Sequence, residues 1–252
     1  MRALEGFAVA LALASLVACD EKKETPAPST AAPVVSAAPP SSEAARPSSD
    51  RPIVILVDAE GTQIGGDRAT GPEGPRKMRE LVAKLEVKGK MPTVLASRTA
   101  KATDVQAVVA ALAAQGVTEV AIRTPDRSKK DSTRAIVPDT KAGKLADCTV
   151  AAVVQKDRTT ASWPIRGGVA TKYAKGMAGP DLSMTLEGLR KQVAACTSTA
   201  MVLAGDEGVE WGLVFDISDR VVTADPPLKI ASWVLAREPL VAGRIVRIGE
   251  EK

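Results

Sequence analysis

The sequence contains no histidine, and aromatic residues make up only 2% of its 252 residues. Without histidine, the chain cannot build a Ser-His-Asp arrangement, imidazole acid/base catalysis or most kinds of zinc site. Gly66 and Gly71 have the spacing of a phosphate-binding loop, but Pro72 stands where that loop requires lysine. No Ser-x-x-Lys pair and no calcium loop of alternating aspartates occur either. We therefore expect no enzyme activity, no cofactor and no metal site.

The first uncharged run is also too short to span a membrane, because it begins at Gly6 and ends at Cys19, whereas a spanning helix needs about 20 apolar residues. Arg2 near the start, an apolar middle and small residues at the end are typical of a secretory signal peptide, which we assign to residues 1–18. Leu16 to Cys19 reads Leu-Val-Ala-Cys and matches the bacterial lipobox, whose cysteine is acylated.

We expect acyl chains on Cys19 to hold the protein on the periplasmic side of a bacterial membrane. Whether that membrane is the inner or the outer one stays open. The alternative is a cleaved signal peptide in which Cys19 has no role.

The next segment, residues 19–51, is rich in proline, alanine, serine and threonine. This composition offers too little apolar surface to offset the entropy of ordering the chain, so we interpret it as a disordered tether. The net charge of +4 comes from positive residues scattered along the chain, so we expect no nucleic-acid partner.

The folded part is expected to be α+β and to begin with a unit over residues 52–125. Strand-like runs at 53–58 and 62–64 precede an amphipathic helix with apolar residues at 78, 81, 82 and 85. A strand at 93–97, a second helix that ends near Gly116, and a last strand complete a ββαβαβ unit.

The same order of elements can be traced again over residues 147–252, after a predicted linker at 126–146. Two landmarks recur at one spacing of 108 positions: Gly-Pro-acidic (71 to 179) and Val-Leu-Ala (94 to 202). This favours a degenerate tandem repeat. After Ile217 the copies diverge, and we expect extra strands near 228–235 and 243–248.

Cysteines and tryptophans provide the candidate site residues. Cys148 and Cys196 remain as an even pair in an oxidising compartment, which favours a disulfide, with two buried free thiols as the alternative. Trp163 and Trp233 lie in strand-like runs and are expected in the core. Trp211 stays open between a core position and a binding surface, because tryptophan is enriched at interface anchors.

The segments "PIVILVDAEG" and "PTVLASRTAKATDVQAVVAALAAQGVTEVAIRT", with the helix between them, resemble the periplasmic domain of the ExbD/TolR family. "MVLAGDEGVEWGLVFDI" in the second copy is similar to the same domain, and Trp211-Gly212 stands where the family often has an aromatic-glycine pair. Trp211 and Gly212 are therefore the candidate partner-binding residues, with a core position for Trp211 as the open alternative. Family members carry a transmembrane helix with a proton-coupling aspartate, and no such helix is expected here.

The resemblance implies two two-layer units, each with a mixed sheet and two helices, arranged within one chain as a pseudo-dimer. It also implies a non-enzymatic binding or scaffolding lipoprotein, related to the periplasmic part of biopolymer-transport proteins, with an envelope protein as partner. The alternative function is a peptidoglycan-binding lipoprotein that stabilises the envelope.

Overall fold

A mixed sheet of eleven strands, with four helices, forms the part of the chain that the computed structural model describes, residues 52–249. These residues belong to one compact unit, Ser48–Lys252. The α+β class is confirmed. The signal peptide, Cys19 and the tether lie outside the described residues.

The N-terminal half, residues 52–125, follows the predicted order with one additional strand. Its elements are β1 (Val54–Asp58), β2 (Gly61–Ile64), β3 (Asp67–Ala69), α1 (Gly74–Ala83), β4 (Thr93–Ala96), α2 (Ala102–Ala114) and β5 (Val120–Pro125). In β1 exposed and buried residues alternate, as expected for a strand with one face in the core. Gly116 follows α2 with φ of 88°, a conformation that favours glycine after a helix.

The C-terminal half, residues 147–249, repeats this order. Its elements are β7 (Val150–Val154), β8 (Thr160–Pro164), β9 (Thr171–Tyr173), β10 (Lys175–Gly176), β11 (Gly179–Pro180), α3 (Leu182–Ala194), β12 (Ala200–Gly205), α4 (Trp211–Val222) and β13 (Ser232–Leu235). Strands β10 and β11 form a small separate hairpin.

The segment 126–146, which the sequence predicts as a linker, contains an eight-residue strand, β6 (Asp131–Pro138), and a short 3₁₀ helix, Asp139–Lys141. Strand β6 pairs antiparallel with β5 and parallel with β13, so it joins the two halves into one sheet. Its first four residues, 131–134, are all polar, which is why its sequence lacks a continuous apolar run.

The strand order across the sheet is β3-β2-β1-β4-β5-β6-β13-β12-β7-β8-β9. From the outer edge of the sheet to β6, the two halves therefore have the same order of strands. The hairpin (β2–β3 or β8–β9) comes first, followed by the first strand (β1 or β7), the strand after the first helix (β4 or β12) and the last strand (β5 or β13). The strands β1, β4 and β5 are parallel to one another, as are β7, β12 and β13. Because β6 is antiparallel to β5 and parallel to β13, the two parallel sets run in opposite directions.

One hydrophobic core extends through both halves on the helix-bearing face of the sheet. A second core lies on the opposite face of the C-terminal half, where alternate residues of β7, β12 and β13 pack against the segment after β13. In the N-terminal half the corresponding face stays open, and Val54 and Leu56 are 41% and 39% exposed.

One finer prediction is wrong. Residues 243–248 do not form a strand; they belong to the irregular segment that covers the second core. The strand expected near 228–235 is present as β13, which is limited to its last four residues. No helix between residues 52 and 249 is long and apolar enough to cross a membrane.

Candidate functional site

The loops that precede α2 and α4 meet and pair through their backbones. Lys101 and Glu210 form an isolated antiparallel bridge. The N–H of Ala102 donates to the carbonyl of Val209 at 2.8 Å. The N–H of Trp211 donates to the carbonyl of Ala100 at 2.7 Å. We call residues 98–102 and 209–212, with the side chains that contact them, the junction.

Lys101 and Glu210 occupy the same position in their own halves. Each is the residue before a helix, and both have φ of −70° and ψ of 134°. The carbonyls of Lys101 and Glu210 accept bonds within their own helices, so the residues on either side of them, which supply one carbonyl and one N–H from each loop, make the bonds between the loops. The pairing therefore joins one helix start directly to the other.

Trp211 lies inside the junction and not at the surface. Its side chain is 1% exposed, and its Nε1 donates to the hydroxyl of Thr124 at 2.8 Å. The ring lies 6.2 Å from that of Phe215 in a tilted arrangement. In this structure Trp211 is a core residue that joins α4 to β5, and it offers no surface to a partner.

The other two tryptophans are also buried, as predicted. Trp163 is 0% exposed and Trp233 is 5% exposed. Trp163 donates from Nε1 to the carbonyl of Arg244 at 2.7 Å, which fastens the C-terminal segment over the second core.

Gly212 is a point of close approach between the two loops. Its N–H donates to the carbonyl of Arg98 at 2.9 Å. A Cβ atom at this position would lie 2.8 Å from the Cβ and 3.0 Å from the carbonyl oxygen of Arg98. Glycine is therefore required here by contact within the chain.

Asp216, one turn further along α4, is 3% exposed and binds two arginines. Arg98 donates from both terminal nitrogens, at 2.8 Å each, and Arg127 donates from Nε at 2.8 Å. The bonds to Asp216 raise the pKa of Arg98. A carboxylate this deeply buried needs such partners, because burying it unpaired would be very costly.

A second ion pair links α4 to β6. Arg134 donates to Asp219 at 2.8 Å, and its guanidinium lies 5.6 Å from the centre of the Phe215 ring. The junction thus contains backbone pairing, two ion-pair groups and a buried tryptophan, all of which hold the halves together.

Sequence reasoning missed Arg98 and Asp216. The signal for Asp216 is its position in the otherwise apolar run Leu213 to Ile217, where a carboxylate must find a buried partner. Nothing in the sequence singles out Arg98, since its partner is 118 positions away.

Cys148 and Cys196 are joined by a disulfide, with their Cα atoms 5.5 Å apart. The bond ties the start of β7 to the loop between α3 and β12. Between residues 52 and 249, no three histidine, cysteine, aspartate or glutamate residues are grouped closely enough to hold a metal ion.

Comparison of the chain with known protein families, curated proteins and solved structures gives no significant match.

Proposed function

We propose that this protein is a non-enzymatic lipoprotein of the bacterial envelope, whose folded part binds or scaffolds a partner protein. In this proposal residues 52–125 and 147–252 are copies of one ExbD/TolR-like module that pair as a pseudo-dimer. The lipid on Cys19 anchors the module, and residues 19–51 carry it away from the membrane.

The observation that carries the proposal is the reciprocal pairing at the junction. The donors Ala102 and Trp211 are the first residues of α2 and α4, and the acceptors Ala100 and Val209 each lie two positions before them. In a two-fold interface every contact from one subunit to the other is mirrored by the reverse contact. The two backbone bonds of the bridge are reciprocal in this way, which supports the proposal, whereas the side-chain contacts of Trp211 and Asp216 belong to one half only.

Strand order and direction support the same interpretation. Both halves have the same order of strands, and their parallel sets run in opposite directions. A two-fold axis perpendicular to a sheet reverses strand direction in this way. Strand β6 has no counterpart in the other half, and it fills the place between the two last strands.

A binding role fits the chemistry of the junction. Its buried carboxylate, Asp216, accepts bonds from Arg98 and Arg127 on both oxygens, so it is not free to act as an acid, a base or a nucleophile. Groups of this kind fix the geometry of a scaffold and leave its outer surfaces for partners.

The lipid anchor is tested by labelling cells with an alkyne fatty acid and comparing the full-length chain with Cys19→Ser. We expect label and membrane association in the natural chain, and neither in the variant. A matched control is Cys148→Ser combined with Cys196→Ser, which removes the other two cysteines and should keep the label. An unlabelled natural chain would contradict the anchor.

The partner is tested with a photo-crosslinking residue placed at Leu56 on the open sheet face, and at Val169, which is 92% exposed, in the other half. We expect a crosslink to one envelope protein, identified by mass spectrometry. Absence of a protein crosslink, together with salt-sensitive sedimentation with isolated cell walls, would instead identify peptidoglycan as the ligand.

A further inference from the structure

A cavity of about 230 Å³ lies between the β1–β2 and β3–α1 connections and the first turns of α1 and α2. Its walls include apolar groups, of which Met78 is the largest, and the hydroxyl-bearing Thr62. Two ionisable side chains also line it: Asp104, which belongs to α2, and Lys101, the residue before α2.

The equivalent space in the C-terminal half is filled. Asp104 is the third residue of α2, and Leu213 is the third residue of α4. Leu213 is 7% exposed, and its Cδ2 lies 2.7 Å from the position that a Cβ on Gly179 would take. Gly71, at the position equivalent to Gly179, has no heavy atom within 4 Å of its Cβ position.

The N-terminal half therefore has the short carboxylate side chain of Asp104 at the position where the C-terminal half has the larger, apolar side chain of Leu213. If the site served packing alone, a leucine would fill it and add the free energy of its burial, as in the other half. The retained cavity and its carboxylate indicate a binding role. This comparison depends on the equivalence of the halves, which is part of the proposed function, whereas the ligand chemistry can be tested directly.

The carboxylate of Asp104 determines which ligand fits. Between residues 52 and 249 no group donates a hydrogen bond to it, and Lys101 is the charged group that acts on it. Partial burial raises the pKa of Asp104, and Lys101 only partly offsets that effect. A half-buried carboxylate without a donor gains from a charged N–H group.

We infer that this cavity binds the ammonium group of a lysine-like alkylamine, with Asp104 accepting from the ammonium and the apolar walls enclosing the alkyl chain. The volume is below the range of about 300–1,000 Å³ usual for drug-sized ligands, so it suits a single side chain or a small amine. Glu60 lies at the rim and is already paired with Arg68.

The test is an NMR titration of the full-length chain in detergent micelles. The probe is Nα-acetyl-lysine N-methylamide, and its norleucine analogue, which lacks the ammonium, is the control. We expect the lysine probe to shift the signals of Gly71 and Ala107, which line the cavity, and the norleucine analogue to leave them unchanged.

Three variants test the roles of Asp104 and Lys101 in binding. Asp104→Asn should weaken binding about tenfold or more, because a charge-assisted hydrogen bond is lost. Asp104→Leu should abolish binding by filling the cavity. Lys101→Met should strengthen binding, because it removes the competing cation. Thermal unfolding of each variant shows that it is folded.

Binding that is unchanged in Asp104→Asn, or that is weakened in Lys101→Met, would overturn the inference, and the second result would point to an anion. Titration with n-pentylamine and with a lysine-containing peptide distinguishes the sources. Tighter binding of the peptide identifies a protein side chain, and equal binding identifies a free amine. Failure of all probes would reject this site and leave the labelling test of Cys19 unaffected.

Discussion

Replacing Gly212 with alanine separates a structural role from a partner-binding one. The new Cβ would lie 2.8 Å from the Cβ of Arg98 and 3.0 Å from its carbonyl oxygen. These atoms belong to the loop that accepts the N–H bond of Gly212, so the loop must move and that bond must lengthen. Overpacking of this kind costs about 1–3 kcal/mol.

A gain partly offsets this cost, since alanine is favoured over glycine in a helix by about 1 kcal/mol. The overlap involves backbone and Cβ atoms, which cannot rotate away, so we expect the steric cost to exceed the gain. The net loss should be up to about 2 kcal/mol, which for a domain of this size lowers Tm by up to roughly 8 °C.

The assay is thermal and urea unfolding of the full-length chain, with Gly74→Ala as the matched control. Gly74 is also a buried glycine at the start of a helix, but its Cβ would meet the nearest atoms at 3.5 Å, an ordinary contact. The control should therefore be neutral or slightly stabilised. A Gly212→Ala variant as stable as the natural chain would refute this account of the junction.

Three further measurements test other parts of the structure. Asp216→Ala should lower the free energy of unfolding by about 3 kcal/mol, because it leaves Arg98 without its partner at a partly buried site; urea unfolding that matches the natural chain would contradict this. Reduction of the Cys148–Cys196 bond, which spans 48 positions, should cost about 2–4 kcal/mol, and equal midpoints with and without reductant would contradict it. Asp104→Asn should stabilise the protein at neutral pH, because the raised pKa of Asp104 means that its ionised form is penalised in the folded state. That difference should shrink as pH falls towards the ordinary aspartate range, where the folded carboxyl is protonated, and a difference that grows with acidity would contradict the reasoning.

Elements with strong local patterns were predictable from the sequence. The strand Ala200–Gly205 is entirely buried and reads as a continuous apolar run. The helix before Gly116 has apolar residues at helical spacing and a glycine after its end. Local periodicity is sufficient in such cases, since burial and spacing are both visible within a dozen residues.

Elements that depend on distant partners were not predictable. Strand β6 begins with four polar residues, 131–134, and it pairs both with the preceding strand β5 and with β13, almost a hundred positions away. Thr103 and Gln106 suggest a capping box, yet α2 has no side-chain cap. Gln106 instead donates to the carbonyl of Ala236 at 2.7 Å, a partner from the other half.

The sequence singles out Trp211 and Gly212, and the structure shows which contacts they make within the chain. The pair Trp211-Gly212 does lie at a contact surface, but the surface is between the two halves of one chain. The burial of Trp211, which is 1% exposed, and the close approach at Gly212 both involve residues more than 80 positions away. No local pattern distinguishes an internal contact of this kind from a contact with another protein.

Under the proposed equivalence, the junction also explains why a fused pair differs from a symmetric dimer. Ala102 and Trp211 occupy matching positions, and they differ greatly in size. In a homodimer both positions would carry the same residue, and two tryptophans would compete for the space beside one axis. Joining the copies in one chain removes that restriction, so one side can supply the large ring while the other stays small. The same freedom lets Leu213 fill the groove in one half while the shorter Asp104 leaves the corresponding groove open in the other.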